Sequence, residues 1–249
     1  MRQLDKDLLG VEDVAELMGV GKATIWRWCR EGRLPCLKVG KHWFVRREAL
    51  ENFLKRREHS TTLAGQLGSF LQVPDNVLAI TQNLDILRRL DAAFFRVGEA
   101  RGGLLVKFYA GEAASEEELL AKFEENGLEA RRLKREGRLL MRPEENPLSG
   151  REDVLGRLIE EKAGEGRTVW ASFDWVVPVE LETALELQGR LSELIGSGQQ
   201  LVVKTAALEE AIDEWSPANL RRAQSSHSGT IMASEKGLSL HRTTPMPPS

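Results

Sequence analysis

From Val11 onward the apolar positions Val14, Leu17 and Met18 recur at helical spacing. Glu12 and Asp13 stand in the first turn, where the helix dipole favours acids. Gly19-Val20-Gly21 breaks this helix, and a second follows at once from Lys22 to Glu31, stopped by Gly32. Ala15 is small where the two helices should cross, and Val20 and Ile25 fill the angle between them. After Pro35, Cys36–Val39 and His42–Val45 read as two short strands around Gly40-Lys41, a hairpin at 36–45. Arg46 to Arg57 predicts a third helix, with Leu50, Phe53 and Leu54 on one face and Arg47, Lys55, Arg56 and Arg57 outside it. Helix, turn, helix, hairpin and helix within residues 1–58 describe a helix-turn-helix followed by a wing, mostly α with one β-hairpin.

The pattern then changes. Glu58 to Thr62 is polar and lacks periodicity, so residues 59–99 read as a linker and connecting helix. Val77, Leu78, Ile80, Leu84, Ile86, Leu87, Leu90 and Phe94 predict one broad apolar stripe from Asn76 to Val97, suited to connection or self-association. Strand-like runs at 104–109, 139–141, 168–175 and 200–204 alternate with helical stretches at 115–126, 150–163, 178–195, 208–212 and 217–225. Ser115 with Glu118 three residues on forms a capping box. Two further runs, 229–233 and 237–241, suggest a terminal hairpin. Residues 100–242 therefore predict a C-terminal α/β domain with a mainly parallel sheet, and 243–249 a disordered tail.

Charge separates the halves. Residues 1–60 carry 13 basic against 9 acidic side chains, while the whole 249-residue chain is at −3, so the basic front precedes an acidic back. Only the front suits a polyanion. No apolar run reaches the roughly 18 residues of a membrane helix, and the start lacks the apolar stretch of a secretory signal, which points to the cytoplasm and the nucleoid. Two cysteines, Cys29 and Cys36, are too few for a disulfide framework or a Cys-rich zinc site, and read as reduced thiols. His42 is too isolated for a metal, so neither metal nor cofactor is expected.

Residues 9–54 resemble the excisionase-type and MerR-like winged helix family. The carrying stretches are Val14-Ala15-Glu16-Leu17-Met18-Gly19-Val20, Thr24-Ile25-Trp26-Arg27-Trp28, Glu31-Gly32-Arg33-Leu34-Pro35 and Val39-Gly40-Lys41-His42-Trp43. Gly21 departs from the serine usual in the family, and glycine is also acceptable as an N-cap. The resemblance implies a recognition helix in the major groove of double-stranded DNA and a wing on the flanking backbone. Carried over, it places Lys22, Thr24, Trp26, Arg27 and Arg30 on the recognition surface, Lys41 and His42 at the wing tip, and Arg46 and Arg47 at the start of the third helix. Arg27 is the best base reader, since a guanidinium bridges guanine O6 and N7. Trp28 and Trp43 suit the core, Trp26 either DNA or an interdomain contact, and the Lys55-Arg56-Arg57 run a solvated helix end.

Residues 100–242 resemble the MEDS sensory domain of DcmR-type regulators in methylotrophs and of methanogen proteins, through Val106-Lys107-Phe108-Tyr109, the run from Thr168 to Trp175, and the run from Leu201 to His227. That resemblance implies sensing of small hydrocarbon-derived compounds. Gly103 or Leu104 stands where family members often have a histidine, and Val203 where they often have a cysteine, which puts any metal or redox role of those positions in doubt. The P-loop, H-E-x-x-H and G-x-S-x-G patterns are missing, so no enzyme is expected. Tyr109, Asp174 and Trp175 at strand ends are the candidate ligand site, because ligands of open α/β sheets sit beyond the carboxyl ends of strands. The competing reading has Trp170 and Trp175 packing and Asp174 capping the next helix. The chain thus reads as a homodimeric transcriptional regulator answering a small-molecule effector. An architectural, excisionase-like binder with an oligomerising C-terminal domain, and a signalling enzyme with a DNA-targeting module, are the alternatives.

Overall fold

The computed structural model describes residues 7–110, 114–144, 151–163, 166–176, 181–196 and 200–243. The chain forms two compact units, residues 1–65 and 66–249.

In the first unit β1 (Leu8–Gly10) leads into α1 (Val11–Leu17) and α2 (Lys22–Arg30). The wing strands β2 (Cys36–Val39) and β3 (His42–Arg46) follow, then α3 (Arg47–Thr61). The sheet is antiparallel in the order β1-β3-β2. β1 was not foreseen, because its three residues are too short to show alternation.

Both short helices end in the same way. Gly19 has φ +62° and Gly32 φ +70°. The Val20 N–H donates to the Ala15 carbonyl at 3.0 Å and the Arg33 N–H to the Trp28 carbonyl at 2.9 Å. These six-to-one bonds across a left-handed residue are the Schellman arrangement, and they satisfy carbonyls that the helix leaves open. The core beneath gathers Val11, Val14, Ala15, Ile25, Trp28, Leu34, Val45, Leu50 and Phe53. Trp28 meets Phe53 with ring centroids 5.4 Å apart.

Two expectations fail in this unit. Cys29 and Cys36 are not free thiols: a disulfide joins them, with Cα atoms 5.4 Å apart. The chain reverses at Gly32, so β2 returns past the last turn of α2, and spacing along the sequence does not reveal that approach. The polar stretch Glu58–Thr62 is not irregular, because α3 runs on to Thr61 and α4 (Leu63–Phe70) begins two residues later, although the boundary between the two units falls just after it. The side chains of Lys55, Arg56 and Arg57 lie outside the described residues.

The second unit holds β4 (Asp75–Thr81), α5 (Leu84–Ala100), β5 (Leu104–Ala110), α6 (Glu116–Glu125), α7 (Ala130–Arg135), β6 (Leu139–Glu144) and α8 (Arg151–Ala163). It continues with β7 (Val169–Trp175), α9 (Leu181–Gly196), β8 (Leu201–Leu208), a short 3-10 turn (Glu209–Ile212), α10 (Pro217–Ser225), β9 (Gly229–Ser234) and β10 (Gly237–Arg242). Seven strands form one sheet, ordered β10-β9-β4-β8-β7-β5-β6. All neighbours are parallel except β10, which pairs antiparallel with β9. The expected α/β class with a mainly parallel sheet is therefore present, and it begins well before residue 100.

The single helix expected from Asn76 to Val97 is two elements. β4 is buried at all seven positions, and a strand covered on both faces reads as an unbroken apolar run that merges with the stripe of the following helix. The Asn83 side chain marks the boundary by accepting the Ile86 N–H at 3.0 Å. The apolar stripe of α5, considered for self-association, is occupied within the chain. Leu87, Leu90, Phe94 and Phe95 are fully covered, and Phe94 packs edge-on against Trp170 of β7 at 5.3 Å.

Side chains alternate across the sheet. Leu104, Val106, Phe108, Val169, Ala171, Phe173, Leu201 and Val203 meet Leu155, Leu158 and Ile159 of α8 and Leu191 of α9 on one face. α5 covers the opposite face and α6 packs beside it. The capping box foreseen at Ser115 and Glu118 opens α6.

Candidate nucleic-acid interface and buried ionic cluster

Helix α2 divides cleanly. Ile25, Trp28 and Cys29 face the core, so Lys22, Trp26 and Arg30 fall one turn apart along the outer side with Arg27 beside them. All four are exposed, while Thr24 is half-buried. Trp26 is 52% exposed, unusual for an indole in a small domain. Lys22 Nζ sits 3.1 Å from Glu12 Oε1, and that hydrogen bond holds the Glu12 carboxyl below its ordinary pKa. Lys41, His42, Arg46 and Arg47 are exposed on the wing and at the start of α3. Lys38 lies over the half-buried Trp43 ring at 5.7 Å. Exposed guanidinium and ammonium groups on a short helix and an adjoining hairpin can neutralise phosphates, and Arg27 can bridge a guanine edge.

The candidate ligand residues of the second unit separate. Tyr109 shares the α5 face of the sheet with Asp174, whereas Trp175 points to the opposite face among Leu78, Ile80, Leu181 and Ala184. Tyr109 is buried, and that burial with the nearby Glu116 charge raises its pKa. Among the described residues Asp174 caps no helix. Its Oδ2 is 2.5 Å from Lys107 Nζ and 2.7 Å from Arg88 Nη1.

These contacts belong to a larger cluster. Asp91 takes Lys107 Nζ at 2.8 Å on Oδ2 and Lys204 Nζ at 2.7 Å on Oδ1. The Ser172 hydroxyl also donates to Oδ1 at 2.8 Å. Arg88 Nη1 approaches Asp91 at 3.6 Å. Three cations and two carboxylates thus lie between α5 and the sheet, with Lys107, Lys204 and Asp91 fully out of solvent. Register explains the assembly: Lys107 pairs with Ser172 and Ser172 with Lys204, so the three project from one face toward α5. Burial alone would raise the Asp91 carboxyl, but Lys107, Lys204 and Arg88 outweigh it and hold its pKa well below the ordinary value. Burial pushes the Lys107 ammonium down, with Asp174 and Asp91 opposing.

Sequence reasoning missed Arg88, Asp91, Lys107 and Lys204. A usable signal exists: a lone lysine inside each of the apolar strands Leu104–Ala110 and Leu201–Leu208 needs a buried counter-charge. It missed His227 as well, read as polar loop chemistry. Its ring is buried, with Nδ1 2.8 Å from the Ala223 carbonyl. Burial lowers its pKa to about 4 against the opposing hydrogen bond. No helix among the described residues is long and apolar enough to cross a membrane.

The first unit is a winged helix-turn-helix. Residues 8–58 match the helix-turn-helix domain family, and through that segment the chain belongs to it. Two relatives in Mycobacterium tuberculosis, from strains CDC 1551 / Oshkosh and H37Rv, are each described as a candidate DNA-binding protein. Each is 37% identical over 54 residues, which is 22% of this chain and 69% of the relative. Among solved structures, a KaiC-like protein of the hyperthermophilic archaeon Pyrococcus horikoshii aligns over 70% of this chain and 82% of its own. The TM-score is 0.48 and the identity 13%.

Proposed function

We propose that this chain is a DNA-binding transcriptional regulator of the cytoplasm and nucleoid, with residues 8–58 as its DNA-binding part and the α/β unit as its regulatory part. The observation that carries the reading is the outer face of α2. A helix whose inner face builds the core presents Lys22, Trp26, Arg27 and Arg30 outward, and the wing adds Lys41, His42, Arg46 and Arg47. The Mycobacterium tuberculosis relatives, described as candidate DNA-binding proteins, support it. One winged unit covers too little DNA for high operator specificity, so the reading includes a homodimer on two half-sites.

The α/β unit is assigned a sensory role of the MEDS kind, acting without catalysis of its own. Topology supports a ligand crevice: β5 leads to α6 on one face and β7 to α9 on the other, so their carboxyl ends form a switch point beside Tyr109 and Asp174. The same reversal occurs between β4 and β8. The two-residue β4–α5 turn, Gln82-Asn83, is shorter than a phosphate-cradling loop, which supports a non-enzymatic role.

The test is gel-shift binding of the full chain to the duplex upstream of its own gene, against an unrelated duplex, with and without a panel of small hydrocarbon-derived compounds. Preference for the upstream duplex that Arg27→Ala removes supports the DNA-binding assignment. Equal binding to both duplexes by wild type and variant sinks the sequence-specific regulator, and absence of binding to either duplex sinks the DNA-binding assignment itself. A compound that shifts the affinity supports the sensory half.

A further inference from the structure

We propose that Cys29 and Cys36 form a reversible thiol–disulfide site that sets the affinity of the first unit for DNA, an inference that rests on the DNA-binding reading above. Cys29 lies in the last turn of α2, the helix that presents Trp26, Arg27 and Arg30. Cys36 opens β2, the first strand of the wing. The bridge spans seven positions and joins the two elements directly, with Cα atoms 5.4 Å apart. Between them stand the six residues Arg30 to Pro35, with the helix-ending Gly32 among them.

Two considerations make this a responsive site rather than a staple. The unit already has a continuous apolar core from Val11 to Phe53, so it does not depend on a cross-link as a coreless small domain would. A protein that works on DNA also meets thiol-buffered surroundings, where a protein disulfide is ordinarily transient. Access is one-sided. Cys29 is buried beside Trp28, while Cys36 is half-buried, so a small reagent reaches the bridge from the strand side.

The chemistry balances with a low-molecular-weight disulfide, RSSR, as oxidant. A Cys36 thiolate attacks one sulfur of RSSR and expels RS⁻, leaving a mixed disulfide. The Cys29 thiolate then attacks Cys36 Sγ, forms the internal bond and expels the second RS⁻. The two cysteine protons end on two RSH, and RSSR takes up both electrons. Two RSH reverse the sequence. When bridged, the last turn of α2 is pinned to the wing, so Arg27 and Arg30 keep a fixed offset from Lys41. Because phosphates repeat at set intervals, a pre-set spacing avoids an ordering cost on binding. The reduced form bears that cost.

The full chain is equilibrated in glutathione buffers of graded redox poise. Thiol alkylation and intact mass give the bridged fraction, and fluorescence anisotropy gives affinity for the duplex upstream of its own gene. The expected result is a single two-electron transition, with the bridged protein binding about tenfold tighter. Cys29→Ala and Cys36→Ala should hold the reduced affinity at every poise. Reduced and alkylated wild type gives the same comparison without substitution. A bridge that never forms, or one that forms with affinities equal within about twofold, overturns the switch alone. Absence of duplex binding in every state overturns both the switch and the DNA-binding reading, whatever the thiols do.

Discussion

Lys107 Nζ lies 2.8 Å from Asp91 Oδ2, and neither side chain is exposed to solvent at all. Among the described residues the charge count around this pair is uneven, with Arg88, Lys107 and Lys204 facing Asp91 and Asp174. The two halves of the pair are therefore not equivalent. Asp91→Asn leaves three buried cations against one carboxylate and should cost about 3–5 kcal/mol, the usual penalty for an uncompensated buried charge. Lys107→Met leaves two cations facing two carboxylates and keeps an unbranched apolar chain in the strand, so it should cost under about 2 kcal/mol. Urea denaturation of both variants checks the ranking, and a larger loss for Lys107→Met contradicts it.

His227 makes stability depend on pH. Its folded pKa, about 4, lies below the ordinary 6.5 because burial disfavours the imidazolium. Between those values the unfolded chain binds more protons than the folded one, so stability rises with pH across the window. This contribution is complete above about pH 6.5 and lost as pH falls toward 4, amounting to roughly 3 kcal/mol. His227→Gln should flatten that part of the curve. Denaturant midpoints measured from pH 4 to 7 on both proteins decide the matter, and equal slopes would rule out His227 as the source.

The wing and the recognition helix should fail differently. Lys41 is exposed on the two-residue wing turn, where an ammonium neutralises one phosphate. Lys41→Ala should weaken binding to every duplex alike and reduce the salt slope by about one. Arg27→Ala should cost about 1–3 kcal/mol on the preferred duplex and much less on others. Affinities at several salt concentrations separate the two patterns. If Lys41→Ala changes preference instead, the wing reads sequence.

Gly103 admits no side chain. A Cβ there would come within 2.3 Å of Trp170 Cδ1 and 2.9 Å of the Thr168 carbonyl. Trp170 is fully buried beneath Phe94 and cannot retreat. Gly103→Ala should therefore destabilise the α/β unit by about 1–3 kcal/mol through overpacking. Thermal unfolding followed by far-ultraviolet circular dichroism tests this, and an unchanged midpoint refutes it.

The first unit was legible because each signal in it is local. Gly19 and Gly32 stop helices, Gly40-Lys41 turns a hairpin, and the apolar positions fall at helical spacing between them. The Cys29–Cys36 bridge was not legible, since it depends on where β2 passes α2. In the α/β unit, strands and helices after Gly103 emerged from alternating patterns. β4 did not, because a strand buried on both faces has no polar phase to set it apart from α5. The ionic cluster was hidden for a related reason: Arg88 with Asp91, Lys107, Ser172 with Asp174, and Lys204 sit on four separate elements, and only strand register aligns them. Of the candidate ligand residues, Tyr109 and Asp174 share a face while Trp175 faces away, since adjacent strand residues alternate.

Arg242, at the end of β10, reaches back to the start of β4. Its guanidinium holds both Asp75 oxygens at 2.8 Å, donates to the Phe70 carbonyl and lies over the Phe70 ring at 4.3 Å. The polypeptide therefore leaves the α/β unit beside the place where it came in. A fold closed in this way tolerates rewiring. A short tether could join residue 243 to residue 66, new termini could be opened in a surface turn, and the sheet order would survive. The same closure gives evolution an economical route: a DNA-binding module could be attached at either end of this sheet and start from nearly the same point on its surface.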